Sequence, residues 1–229
     1  MSPFAFGPIY CEDLHAVAGT FPAEPANTIS NAVIVMFGVW TLYLARKRAP
    51  HAVDVHLLGA LTVINGIGSG LWHGLREPWA LALDVLPGLL VLFVLVFCWM
   101  RRLSGYIAAA AFAVLFYMGF AFSRQYWTVA PRWVALAPVV VAAGLWLIGQ
   151  TALRDKRAAL MGLGALGLAL TALTFRTIDL QACDTIPIGT HFLWHMFLSG
   201  GSFVAILALM RLPERRAAHA GKPAIESAE

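Results

Sequence analysis

Two histidines four residues apart, His191 and His195, lie in the apolar stretch GTHFLWHMF at 189–197. On a helix that spacing puts both imidazoles on one face. An earlier stretch, SGLWH at 69–73, repeats the spacing with Ser69 and His73, and Asp84 follows eleven residues on. Three neutral imidazoles and a water make a common tetrahedral zinc site. Such a metal lowers the pKa of its water and polarises a carbonyl. A carboxylate beside it, here Asp84, can take the water's proton and pass it to a leaving group. Ser69 can orient a ligand or donate a hydrogen bond to an oxyanion. Hydrolysis of a carbonyl compound is the chemistry these five residues would do.

The elements that must position them are membrane helices. The chain has 229 residues, 60% hydrophobic and 12% charged, with a mean hydropathy of +0.75. Soluble domains carry about 25% charge. A single all-α bundle of seven transmembrane helices is expected, at roughly 27–45, 55–74, 79–100, 104–122, 133–151, 158–175 and 190–210. Short connections make successive helices antiparallel. Residues 1–26 then form an extracytoplasmic segment, 27–210 the helical domain and 211–229 a polar, disordered cytoplasmic tail. No basic stretch followed by a long apolar run opens the chain, so the first helix is expected to act as its own insertion signal. Spans three to six are rich in Gly and Ala, which suits close helix packing. A net charge of +4 reflects topology rather than nucleic-acid binding.

Basic residues set the orientation. Arg46, Lys47 and Arg48 follow span one, Arg101 and Arg102 span three, and Arg154, Lys156 and Arg157 span five. Arg211, Arg215, Arg216 and Lys222 follow span seven, so this side holds twelve basic residues. The other side holds four, Arg76, Arg124, Arg132 and Arg176. The N-terminus is therefore expected outside and the C-terminus in the cytoplasm. With that topology His73 ends span two, Asp84 begins span three, and His191 and His195 open span seven. All lie near the outer surface, at one depth. A single membrane histidine ordinarily bonds a backbone carbonyl or lines a wet cavity. Three at one depth beside a carboxylate favour a metal. Ser69 alone reads equally as a helix-packing residue. His15, His51, His56 and His219 read as solvated, and Trp72 and Trp194 as interfacial aromatics.

Cys11 and Cys183 both fall outside, where an oxidising compartment permits a disulfide between them. Two free thiols are the alternative. Cys98 reads as a packing residue. Glu12, Asp13 and Glu24 form an acidic segment able to bind a hard cation through oxygen, or to stand as solvated charges. Asn27 reads as a helix cap and Asn31 as a residue bonded inside the bundle.

The stretches YCE at 10–12, EPANTISN at 24–31, SGLWH at 69–73 with Asp84, and CDTIPIGTHFLWH at 183–195 occur in this order along nearly the whole chain. In them the sequence resembles the alkaline ceramidase family, within the CREST superfamily of seven-helix membrane hydrolases, and most of all its bacterial members. The resemblance implies zinc held by His73, His191 and His195 with a water, proton transfer by Asp84 and assistance from Ser69. It implies hydrolysis of the linear amide of a ceramide to a sphingoid base and a fatty acid, and a Cys11–Cys183 disulfide. It also implies a calcium site, with Glu12 and Glu24 matching two ligand positions. The chain departs from that calcium pattern: Pro8-Ile9 replaces an acidic residue, Leu14 replaces a polar ligand, and the spacing to Glu24 is one residue longer. Asp13 is the available substitute.

The reading is therefore a membrane zinc amidase acting on ceramide or a related N-acyl lipid. Its expected place is a bacterial inner membrane, with the site near the periplasmic side. One rival is a receptor-like or acyl-remodelling member of the same superfamily that acts on another lipid. A second rival is a haem-binding or metal-transporting protein. A transporter needs polar groups through the whole membrane depth, and the inner halves of these spans are almost wholly apolar.

Overall fold

The computed structural model describes residues 9–16, 19–126 and 132–213. Seven helices follow one another: α1 (Pro25–Arg48), α2 (Val53–Leu75), α3 (Pro78–Ser104), α4 (Tyr106–Tyr126), α5 (Arg132–Ala152), α6 (Lys156–Ile178) and α7 (His191–Arg211). Short 3-10 turns at Glu12–Leu14 and Asp179–Gln181 precede α1 and α7. Six helices are long and apolar enough to cross a membrane, and α5 is apolar from Ala137 onward. The chain is thus an all-α, polytopic membrane bundle, and every expected span corresponds to a helix whose ends agree within four residues. Basic last turns such as Arg46–Arg48 and Arg101–Arg102 continue the helix beyond the apolar run, which is why hydropathy alone ends these spans early. Beyond Pro213 the expected tail lies outside the described residues.

The helices contact one another in chain order around a ring that closes where α7 meets α1, and α7 also touches α2 and α3. Close approach depends on glycine at α2. A β-carbon on Gly66 would come within 2.8 Å of the Val35 backbone nitrogen in α1, and one on Gly68 would collide with the Leu83 carbonyl in α3. That contact sets α3 against α2 beside Ser69 and Asp84. The expectation that Gly and Ala of spans three to six suit close packing holds in part: a β-carbon on Gly162 of α6 would come within 3.0 Å of Ile148 in α5 and 3.2 Å of Trp99 in α3. Gly149, Gly164 and Gly167, by contrast, meet nothing within 4 Å.

The two ends of the bundle differ in chemistry. At one end Arg102 forks onto Asp54, with donor–acceptor distances of 2.7 to 3.0 Å, and donates to the Leu209 and Leu212 carbonyls at 3.1 and 2.8 Å. This ties the start of α2 to the ends of α3 and α7. Asp155 caps α6 through the Arg157 and Ala158 amides and pairs with Arg211 at 2.9 Å. An apolar core that includes Leu58, Val91, Leu103, Phe116 and Ile206 separates this end from the other.

At the opposite end the segment before α1 folds onto the helix ends. Cys11 and Cys183 form a disulfide with a Cα–Cα distance of 5.4 Å. Helix α1 opens with Pro25, which has no amide hydrogen to satisfy. The next two amides, Ala26 and Asn27, each donate to the Glu12 carboxylate at 2.8 Å. Asn27 is therefore not the cap expected from its residue type: it lies within the first turn and donates its side-chain amide to Glu24 at 2.7 Å. Asn31 is bonded inside the bundle as expected, to the Asn27 carbonyl at 2.7 Å. Asp179 accepts from the Thr190 and His191 amides at 2.7 and 2.9 Å and from Cys11 N at 3.0 Å, so one carboxylate joins the start of α7 to the N-terminal segment. Gly189 has φ +64 and packs against Asp179 and Cys11, leaving no room for a side chain.

The disulfide closes a loop of 172 residues. Removing a native bridge from a small secreted domain costs about 2–5 kcal/mol, and the long loop places this one toward the upper part of that range in the chain-entropy picture. Cys183→Ser is expected to lower the melting temperature measured in detergent. Peptide mapping without reductant should recover the 11–183 linkage from the wild type.

Candidate metal centre

His73 comes from the last turn of α2, and His191 and His195 from the first two turns of α7. All three are buried, and each offers a ring nitrogen within 4.8 Å of the others. Ring centroids are separated by 4.6 Å for His191–His195, 4.9 Å for His73–His195 and 5.1 Å for His73–His191. The i,i+4 spacing brings the α7 pair together, and the α2–α7 contact brings in the third ring.

Neighbouring groups set two of the tautomers. His73 Nδ1 lies 2.6 Å from Glu24 Oε2, where a carboxylate accepts, so Nδ1 carries the hydrogen. Nε2 of His73 is then a lone-pair nitrogen, and it is buried with no hydrogen-bond partner. Ser30 Oγ donates its single proton to the Asn27 carbonyl at 2.8 Å and lies 2.7 Å from His195 Nδ1. The hydroxyl must therefore accept from Nδ1, which leaves Nε2 of His195 as the lone-pair nitrogen. His191 Nδ1 is also buried without a partner. Burying such nitrogens is costly unless something binds them. Neutral imidazoles anchored through the other nitrogen are the donor set that zinc takes. The residues present therefore fit the metal.

Ser69 and Asp84 are brought together as the sequence suggested. Ser69 is buried on α2 one turn before His73, beside the Asp84 carboxylate on α3. Asn65, a further turn back, donates to the Asp84 backbone carbonyl at 2.7 Å. The carboxylate is close enough to His73 for a direct electrostatic interaction.

Above the histidines lies a buried polar layer that includes residues sequence reasoning missed. Tyr10 packs on His191 at 4.2 Å and on His73 at 4.9 Å. The Arg176 and Arg76 guanidiniums lie 4.6 and 5.3 Å from its ring. Burial pushes the Tyr10 phenol up to about 12, so it stays neutral. Trp72, expected at the lipid interface, is instead fully buried beneath this layer, with its indole N–H 3.4 Å from the Tyr10 hydroxyl. The disulfide-tethered segment covers it, and local sequence does not reveal that cover.

The expected calcium carboxylates are taken up by protein partners. Glu12 caps α1. Glu24 meets His73, Asn27 and Arg76. Burial pushes Glu24 up to about 7 and Asp13 up to about 6, with Arg76 pulling both down. Among the described residues, the group of His, Cys, Asp and Glu side chains arranged to share a metal is the three-histidine set.

Ser30 also escaped sequence reading, although it sits in NTISN one turn from Asn27. Ser30→Ala is expected to leave the fold intact and to weaken metal retention about 10–100-fold, the usual effect of losing an outer partner of a metal-bound histidine. Competition with a chromogenic chelator measures it.

No curated protein matches the chain. The Ceramidase family model matches residues 9–223, which take in the acidic segment, all seven helices and the histidine cluster. On that match the chain belongs to the Ceramidase family, whose reaction is hydrolysis of the amide bond of ceramide by a membrane protein.

Proposed function

We propose that this chain is a zinc-dependent amidase that releases a sphingoid base and a fatty acid from ceramide. The observation that carries the zinc reading is the buried histidine triad, in which Glu24 and Ser30 accept hydrogen bonds from Nδ1 of His73 and His195 and leave the Nε2 nitrogens free to bind. His73, His191 and His195 would hold the ion, which when bound supplies Lewis acidity and a water of lowered pKa.

The protein's own residues do the rest. Asp84 stands beside the triad as the group that accepts a proton from the attacking water and returns it to the departing amine nitrogen. Ser69, beside the Asp84 carboxylate, would orient that carboxylate or donate a hydrogen bond to the oxyanion. The buried layer of Tyr10, Trp72, Arg76 and Arg176 limits water from the aqueous side. The apolar helix faces below suit the chains of an N-acyl lipid.

The basic residues at the Asp54–Arg102 end support a cytoplasmic placement for that end. The triad then faces the exterior, the periplasm in a bacterial inner membrane. An oxidising exterior also suits the disulfide. Residues 27–210 form the catalytic bundle in this reading, with 1–26 as its outer cover.

Purified protein is expected to contain about one zinc per chain and to release fatty acid from ceramide. His195→Ala should lose both the metal and the activity. Asp84→Asn should keep the metal and lower kcat about 10²–10⁴-fold. Full turnover by metal-free His195→Ala would contradict the proposal.

A further inference from the structure

Calcium, which the resemblance implies near the N-terminus, does not fit the groups found there. A calcium ion takes six to eight oxygen ligands. The chain has Pro8-Ile9 and Leu14 where the pattern requires oxygen donors, and Leu14 is exposed. Most of the remaining carboxylate oxygens face nitrogen donors of the protein; Glu24 Oε1 faces Arg76 Nε, and Asp13 Oδ1 is buried without a hydrogen-bond partner. Asp13 Oδ2 accepts from Ile9 N at 2.8 Å, Tyr10 N at 3.1 Å and Arg76 Nη2 at 2.9 Å. Glu12 is occupied by the first amides of α1.

A cation is nevertheless present, and it belongs to the chain. Arg76 ends α2 in the left-handed conformation, φ 57, with its amide bonded to the Trp72 carbonyl at 2.8 Å. Its side chain is buried. Nη2 reaches Asp13 at 2.9 Å and Nε lies 3.0 Å from Glu24 Oε1. The guanidinium carbon is 4.0 Å from the Trp72 ring centroid. Glu24, held on one oxygen by Arg76, receives His73 Nδ1 on the other at 2.6 Å. One guanidinium thus joins the N-terminal segment, the start of α1 and the histidine site. A non-glycine residue in the left-handed region is uncommon and persists where its surroundings hold it.

We propose that Arg76 is the resident cation of this segment, replacing calcium between Asp13 and Glu24, so that the protein orders its N-terminal cover and holds Glu24 against His73 without any bound calcium. An added dication would have to displace or repel a buried guanidinium and strip the N–H donors from Asp13. The planar fork of arginine meets two carboxylates where a point charge would not, so lysine is a poor replacement.

The test uses the full chain in detergent, prepared with and without about 1 mM calcium chloride, in the range where weak extracellular sites fill. Elemental analysis after gel filtration is expected to find no stoichiometric calcium, and the melting temperature should be the same in both preparations. One calcium per chain, or a rise of several degrees on adding calcium, would overturn the proposal. A mutant cycle tests the pairing. Arg76→Gln should lower the melting temperature by about 10 °C, because it strands buried carboxylates. Asp13→Asn introduced into that variant should recover part of the loss, and strictly additive losses would refute the pairing. If Arg76→Gln does not fold, recovery of a folded double variant supports the pairing, and the wild-type calcium measurement decides the remainder. These readouts do not use zinc or turnover, so failure here leaves the amidase proposal standing.

Discussion

Three imidazoles buried together at one end of a membrane bundle are unfavourable unless each ring has a defined hydrogen-bonding role. The hydrogen bond from His73 to Glu24 supplies the first of these roles. It fixes which nitrogen carries the proton, presents the other to the centre, and ties α2 to the start of α1. Ser30 does the same for His195 from one turn further along α1. Helix α1 contributes no histidine to the cluster, yet it determines how the imidazoles from α2 and α7 present themselves. Glycine at α2 follows from this need, since α1 and α3 must approach closely at the depth where the polar groups lie.

The N-terminal segment completes that constraint from outside. Its disulfide brings it to the loop before α7, Glu12 caps α1, and Asp179 binds the first amides of α7 together with the Cys11 amide. Each contact satisfies a helix terminus and also fixes a helix that carries part of the site. The opposite end has a separate solution, an Asp54–Arg102 fork that reaches the last carbonyls of α7. Between the two ends the core is apolar, and the three histidines with Ser69 and Asp84 lie at one mouth of the bundle.

Much of this was legible in the sequence. Apolar length gave the seven spans, because a membrane helix must satisfy its own backbone and needs a long hydrophobic run. The i,i+4 spacings of Ser69–His73 and His191–His195 put these side chains on shared helix faces, and comparing depths joined them to Asp84. The outer supports were not legible. Ser30 and Glu24 act on rings on other helices, so no local pattern marks them. Arg76 entered only as one of four basic residues on the outer side and is a buried partner of two acids. Trp72 looked interfacial because hydropathy carries no information about a segment folded over it. Glu12 read as a calcium candidate because its residue type suits either an ion or a helix N-terminus, and only the tertiary position of α1 decides between them.

X-ray absorption at the zinc edge of the purified protein tests the triad most directly. The expected spectrum is that of zinc with about three imidazole nitrogens at roughly 2.0–2.1 Å and one oxygen, with the imidazole scattering reduced in His73→Ala. Zinc coordinated by sulfur, or a spectrum that His73→Ala leaves unchanged, would contradict a metal held by His73, His191 and His195.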